Sequence, residues 1–392
     1  MTERRRVRIG DLCSRVTSGG TPSTKHAEYY GGSIPWLRTQ EVDFNRITDT
    51  EVKITEEGLK NSSAKWIPTN AVIVAMYGAT AGRIAIAKVP LTTNQACCNL
   101  IVDPQKADYR YVYYALMHNY VELSGRAKGS AQTNLNAGLV KEFEIPDFGL
   151  PTQKRIADIL SAYDDLIENN RRRMEILEES ARLIFKERFE GVWDRGKLPR
   201  GWRTCCVPNC IEVEPEVANP HCDEIRYIPM AALSTSGMTI DVTKTEMRPK
   251  ATSVRFANGD VLLAGITPCL ENGKTGFVNF LEENEVACGS TEFIVLRGRT
   301  ESPYFTYCLS RTERFRETAI KSMVGASGRQ RVQPECFDTY EIALPTAPIL
   351  REFDELVEPM FEQIGLLLKQ NQDLAEARDM LLPKLMSGKG AA

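Results

Sequence analysis

Two apolar seams of the same phase, 197 residues apart, constrain this chain more than any other feature. In the first, Ile156, Leu160, Tyr163, Ile167, Asn170, Met174, Leu177, Ala181 and Ile184 recur at alternating steps of four and three. That is the spacing of a helix packed along its length on another helix. Adding 197 to each number gives Phe353, Val357, Met360, Ile364, Leu367, Asn371, Leu374, Arg378 and Leu381, with Arg378 the one charged member. The spacing predicts helices over about residues 152–189 and 349–385. Two amphipathic helices inside a single core would give the same pattern. Each run exceeds a usual globular helix, which favours a coiled coil. Pro359 is expected to kink the second helix or to mark its beginning, and Pro383 to end it.

Equal seams in a chain near twice their offset point to a duplicated unit. The segments before the helices correspond too. Ile34-Pro35-Trp36-Leu37 answers Ile225-Arg226-Tyr227-Ile228, and Ala71–Ala75 answers Asp260–Ala264. Gly82–Ile86 answers Lys274–Val278, Asn99–Val102 answers Phe293–Leu296, and Glu144-Ile145-Pro146 answers Ala343-Leu344-Pro345. These short runs between Gly, Pro and Asn clusters read as strands. The expected order is a globule at 1–150, a helix at 151–190, a second globule at 191–346 and a second helix at 347–392. The junction between the halves falls at Asp194 to Gly201, rich in Gly, Pro and charge.

Composition limits the function classes. With 42% apolar and 26% charged residues the chain is an ordinary globular one. No apolar run reaches the roughly 18 residues of a membrane span. The opening Met1-Thr2-Glu3-Arg4-Arg5-Arg6 argues against a signal peptide. The 11 cysteines follow no framework spacing and read as reduced thiols of a cytoplasmic protein. A net charge of −3 is low for a nucleic-acid binder. Residues 1–150 nevertheless carry 18 Lys+Arg against 15 Asp+Glu, and Arg311 to Arg331 holds six basic and two acidic residues. Local patches of this kind bind phosphates.

Catalytic signatures are missing. No Asn/Asp-Pro-Pro-aromatic loop exists to hold a flipped base, and no Gly-x-Gly-x-x-Gly follows a strand. Gly273-Lys274-Thr275 resembles the end of a phosphate loop, but the glycine required five residues earlier falls on Pro268. Cys206-x3-Cys210, with Cys205, His221 and Cys222 nearby, has irregular spacing for zinc. His26, His118 and His221 sit in no triad, and Arg171-Arg172-Arg173 reads as a solvated helix face. The expectation is a non-enzyme with neither metal nor cofactor of its own.

Several strings, in this order, resemble the specificity subunits of Type I restriction-modification systems, and the resemblance covers the whole chain. Ser18-Gly19-Gly20-Thr21-Pro22-Ser23 and Tyr30-Gly31-Gly32-Ser33-Ile34-Pro35-Trp36 look like the opening of that family's target recognition domain. Thr80–Ile86 and Thr93-Asn94-Gln95-Ala96 look like its middle; Gly129–Asn136 followed by Ile145-Pro146 looks like its end. Gln153–Leu160 resembles the start of the spacer helix, and Leu381–Gly388 the C-terminal signature. The second half lacks the Gly-Gly-Thr-Pro-Ser and Thr-Asn-Gln-Ala strings, though it opens on Leu198-Pro199-Arg200-Gly201-Trp202. The resemblance implies an α+β fold with two α/β target recognition domains. Two long antiparallel coiled-coil spacer helices would join them, with an internal pseudo-two-fold repeat. It further implies double-stranded DNA as ligand and two modification subunits as partners, carrying S-adenosylmethionine and methylating adenine. Restriction subunits would use ATP and Mg.

Geometry agrees with that expectation. Antiparallel helices would place one globule at each end. A helix of about 35 residues spans roughly 50 Å, and half-sites one DNA turn apart are separated by about 34–36 Å. Asn170 and Asn371 occupy seam positions, where asparagine commonly fixes register. Base readout needs Arg for guanine and Asn or Gln for adenine. Lys128, Ser130, Gln132 and Asn134 offer such groups in the first half, and Arg329, Gln330 and Arg331 in the second. Gly19, Gly20 and Thr21 are the remaining candidates, the glycines for close approach of backbone to phosphate. A coiled-coil scaffold with two ligand-binding globules and no DNA is the alternative reading. A methyltransferase with an unrecognised site is a third, opposed by the missing base-holding loop.

Overall fold

The computed structural model describes residues 5–128, 135–194, 197–218, 223–249, 253–299, 302–326 and 328–388. The chain divides into two units, Met1–Leu166 with Asp373–Ala392, and Ile167–Gln372.

In the first unit a five-stranded sheet runs in the order Cys13–Ser18, Cys97–Val102, Val72–Ala75, Ile84–Ala87, Asn45–Ile47. Strands Val72–Ala75 and Ile84–Ala87 are apolar at every position because both faces are covered. Val72, Val74, Ile84 and Ile86 pack with Tyr111, Tyr114, Ile156 and Leu160 from helices. Ile73, Ala75, Ala85 and Ala87 pack the other way, with Leu37, Val42 and Leu91. A second sheet runs Lys53–Ile54, Tyr30–Leu37, Leu91–Thr93, Trp66–Ile67. A two-stranded ribbon pairs Arg6–Arg8 with Glu144–Pro146.

The second unit repeats this plan. One sheet runs Ile211–Val213, Phe293–Gly298, Val261–Ala264, Thr275–Phe277. Another runs Glu246–Arg248, Ile225–Ile228, Ala287–Gly289, Arg255–Phe256. The ribbon pairs Arg203–Cys206 with Glu341–Leu344. Among the described residues, the strand equivalent to Asn45–Ile47 is absent. All five pairs of matched runs lie in equivalent strands, but three matches are out of register. Glu144 opposes Arg8 as Glu341 opposes Cys206, with the next amides, Ile9 and Val207, donating to Phe143 O and Tyr340 O, so Glu341 answers Glu144 and not Ala343. Cys97 opposes Ala75 as Phe293 opposes Ala264, so Phe293 answers Cys97 and not Asn99. Likewise Ile86 opposes Val72 as Phe277 opposes Val261, a shift of one. A run apolar on both faces carries no alternation from which register could be read.

Two long helices, Leu150–Phe185 and Ala347–Met386, contribute to both units. In the first unit Ile156 and Leu160 share a core with Leu382, Leu385 and Met386. In the second, Asn170 bonds Asn371, and the rings of Phe185 and Phe353 lie 6.0 Å apart, so these segments run antiparallel. Every seam residue is buried or half-buried. Pro359 does not mark the beginning of the second helix, and Pro383 does not end it. The C-terminal helix passes unbroken through Pro359 and continues to Met386, beyond Pro383. Buried Val357, Phe361 and Ile364 hold the backbone around the first proline, and buried Leu382, Leu385 and Met386 hold it around the second. Packing there outweighs the one lost hydrogen bond at each proline. No helix among the described residues is long and apolar enough to cross a membrane.

Candidate nucleic-acid interface

In the first unit one edge is assembled where strand Val72–Ala75 ends. The Met76 amide donates to Ala96 O (2.8 Å), and the Leu135 amide donates to Met76 O (3.2 Å). These bonds gather the turn at Tyr77–Thr80, the Thr93–Ala96 connection and the chain leaving residues 129–134. Tyr77 is 40% exposed there. The Thr21 hydroxyl bonds the Gln95 side chain, and both residues are exposed. Lys128 ends the helix Tyr120–Lys128. Ser130, Gln132 and Asn134 lie outside the described residues. Asn136, just past them, caps Ala137–Glu142 by accepting from the Leu139 amide (2.9 Å).

Gly19 and Gly20 require a correction. Both are buried, and what they approach is the chain itself. A Cβ at Gly19 would lie 1.9 Å from Thr93 O, and one at Gly20 would lie 2.4 Å from Ala64 N. The Gly20 carbonyl accepts from the Trp36 indole (2.9 Å). The glycines let this opening pack under Thr93 and Ala64; they do not face a phosphate.

The second unit builds the equivalent edge with the same bonds. The Gly265 amide donates to Glu292 O (2.7 Å), and the Val332 amide donates to Gly265 O (2.9 Å). Gly265, Glu292 and Val332 therefore stand where Met76, Ala96 and Leu135 stand in the first unit. Arg329, Gln330 and Arg331 precede Val332 as Gln132, Thr133 and Asn134 precede Leu135, so the two candidate segments enter the fold at matching points. Gln330 and Thr267 exchange two bonds of 3.0 Å, amide to hydroxyl and amide to carbonyl. Arg331 is bridged to both Ile266 and Val324. Its guanidinium grips Glu292, Nε to Oε2 at 2.7 Å and Nη2 to Oε1 at 2.5 Å. That contact lowers the Glu292 carboxyl below its ordinary range and raises Arg331. Arg329 is exposed.

The surrounding basic stretch is partly spent inside the unit. Arg311 donates to Gly273 O (2.5 Å), and Arg316 to Leu270 O (3.1 Å) and Glu271 O (3.2 Å). Burial, with Arg311 and Arg182 nearby, holds Arg316 below the usual guanidinium range. Lys274 likewise donates to Met230 O (2.8 Å), so the Gly-Lys-Thr string is a structural turn. Arg171, Arg172 and Arg173 are exposed on their helix. Cys205 and Cys210 are buried; His221 and Cys222 lie outside the described residues. Among the described residues no cluster of three or more His, Cys, Asp or Glu could hold a metal ion.

The structure joins the two seam asparagines. Asn170 Nδ2 donates to Asn371 Oδ1 and to Gln370 Oε1, both at 3.0 Å. Two residues in this region escaped sequence reasoning. Glu292 is invisible because its partner lies 39 positions away. Gln95 stands inside the Thr-Asn-Gln-Ala string, and that string was its one signal.

The Type I restriction modification DNA specificity domain family matches residues 2–179. The MjaIX specificity subunit of Methanocaldococcus jannaschii, a Type I restriction enzyme subunit, is 31% identical over 404 residues, covering 97% of this chain and 92% of that one. The EcoR124I/EcoR124II specificity subunit of Escherichia coli is 29% identical over 154 residues, 38% of each chain. The crystal structure of a Type I restriction-modification S subunit from M. genitalium superposes with a TM-score of 0.55 at 16% identity, covering 98% of this chain and 96% of that one. That likeness concerns the fold.

Proposed function

This chain belongs to the specificity subunits of Type I restriction-modification enzymes, and from that premise we propose how it selects DNA. It reads a bipartite, asymmetric target, one half-site with residues 1–150 and the other with residues 191–346. Residues 151–190 and 347–392 act as antiparallel coiled-coil spacers that set the distance between half-sites. The observation that carries this reading is the repeated edge. The same hydrogen bonds, Met76 to Ala96 and Gly265 to Glu292, present different exposed residues in the two units. A matching edge with dissimilar polar groups suits two readers of different sequence.

The first edge offers Thr21, Gln95 and Tyr77, with Lys128, Ser130, Gln132 and Asn134 in the adjoining segment. The second offers Arg329, Gln330 and Arg331. Asn170 and Asn371 fix the register of the spacers by pairing with each other. The chain itself performs no chemistry. It assembles with two modification subunits that bind S-adenosylmethionine and methylate adenine, and with restriction subunits that use ATP and Mg. The reaction it serves takes place in the cytoplasm.

Gel shifts test this reading. With modification subunits present, the complex is expected to bind one duplex sequence over random DNA by about 10³-fold or more. The chain alone is expected to transfer no labelled methyl group. Equal affinity for all duplexes would favour the scaffold without DNA readout.

A further inference from the structure

We propose that Glu292 is a positioning residue that aims Arg331 at a guanine in the second half-site. The inference rests on the reading of Arg331 as a base-contacting residue and assigns the base it selects. A guanidinium has five N–H donors in a planar fork. Glu292 takes the Nε edge, through Nε at 2.7 Å and Nη2 at 2.5 Å. The opposite edge, formed by Nη1 and the second Nη2 proton, makes no hydrogen bond among the described residues.

That free edge presents two parallel donors. Guanine alone offers two adjacent major-groove acceptors, O6 and N7, to match them. Adenine places an amino donor beside its N7, and the guanidinium would meet it with a second donor. The fork is held in place from behind as well. Arg331 exchanges backbone bonds of 2.9 Å with Val324, and its neighbour Gln330 is tied to Thr267. The Arg331 side chain remains 62% exposed while that of Glu292 is 21% exposed, so the carboxylate backs the arginine and does not cover it. Arg329, exposed two residues earlier, has no such backing among the described residues. In the first unit the residue equivalent to Glu292 is Ala96, which cannot hold an arginine.

The test uses the complex with modification subunits and a duplex set carrying each base pair at every position of the established target. Arg331→Ala is expected to lose guanine preference at one position of one half-site by about 5- to 150-fold. Arg331→Lys should lose it too, because an ammonium keeps the charge without the fork. Glu292→Gln should weaken the preference at that same position several-fold. Preferences elsewhere and the salt slope should stay unchanged. Intact guanine preference in Glu292→Gln, with loss in Arg331→Ala, would overturn the positioning role and leave the base contact standing. Tighter binding of Glu292→Gln to every duplex would show that the carboxylate masks the arginine, and would also overturn it. Uniform weakening by Arg331→Ala, with a shallower salt slope, would make Arg331 a phosphate contact and remove the underlying reading. Glu292→Gln losing preference at both half-sites together would assign Glu292 to the fold and overturn the proposal.

Discussion

Equivalent positions on the two long helices, one set in each unit, carry opposite chemistry. In the first unit Arg378 donates to Asp164 (2.5 Å), and the Tyr114 hydroxyl bonds the other carboxylate oxygen. Burial and then Asp164 push the Tyr114 phenol well above its ordinary range. Shifting by 197 residues, Phe361 stands in place of Asp164, and Ala181 in place of Arg378. Both are buried, and the Phe361 ring meets those of Phe277 (5.0 Å), Tyr304 (4.9 Å) and Tyr307 (5.6 Å). The first is a contact between the long helices, ionic and hydrogen-bonded; in the second, aromatic rings from strand Thr275–Phe277 and helix Pro303–Ser310 pack on the C-terminal helix. The charged seam position is therefore no defect in the repeat, because its partner sits one residue from the seam. A duplicated frame tolerates such divergence when the exchange is made on both helices at once.

The largest expected effect comes from breaking one member of the ionic contact. The Arg378 and Asp164 side chains are only 16% and 14% exposed. Arg378→Ala should cost about 3–5 kcal/mol by leaving Asp164 buried without its cation. Replacing both by leucine, in the manner of the second unit, should restore stability to near the parent or above. Denaturant unfolding measures both; a double variant as weak as the single would refute the equivalence of the two contacts.

A second contrast sets Gly19 against Arg329. Gly19→Ala pushes a methyl group against the Thr93 carbonyl and should destabilise by about 1–3 kcal/mol. Arg329→Ala, at an exposed position, should stay within about 0.5 kcal/mol of the parent while altering DNA binding. Thermal unfolding beside a gel shift separates them. Equal stability losses would mean that the candidate edge of the second unit belongs to its core.

The asparagine pair gives a smaller effect. Asn170→Leu strands the buried Asn371 amide and should cost about 1–2 kcal/mol. The double change to leucine should be near neutral in stability and should loosen register, since two apolar residues accept more than one alignment. A double-mutant cycle measures the coupling, and cysteine cross-linking along the two helices measures the register. Additive single effects would show that the two amides do not act together.

The seams and the repeat were legible in the sequence because a period near 3.5, sustained over four heptads, is the mark of helix packed along helix. Strand positions were legible, but register was not, where Ala71–Ala75 and Cys97–Leu100 bury both faces. The prolines misled because local propensity at Pro359 and Pro383 is overridden by tertiary packing of their neighbours. Gly19 and Gly20 pointed to close approach, yet the sequence does not say to what; the answer is Thr93 and Ala64. The pairs Glu292–Arg331 and Asp164–Arg378 depend on contacts between distant positions, which no local pattern encodes. Ser130, Gln132 and Asn134 lie outside the described residues.

The central claim is that the two units read their half-sites independently from a shared frame. Replacing residues 1–150 with the corresponding domain of another specificity subunit tests it most directly, with methylated sites mapped across a genome carrying the complete system. The account predicts that one half-site changes while the other half-site and the spacer length are retained. A change in both half-sites, or in neither, would contradict it.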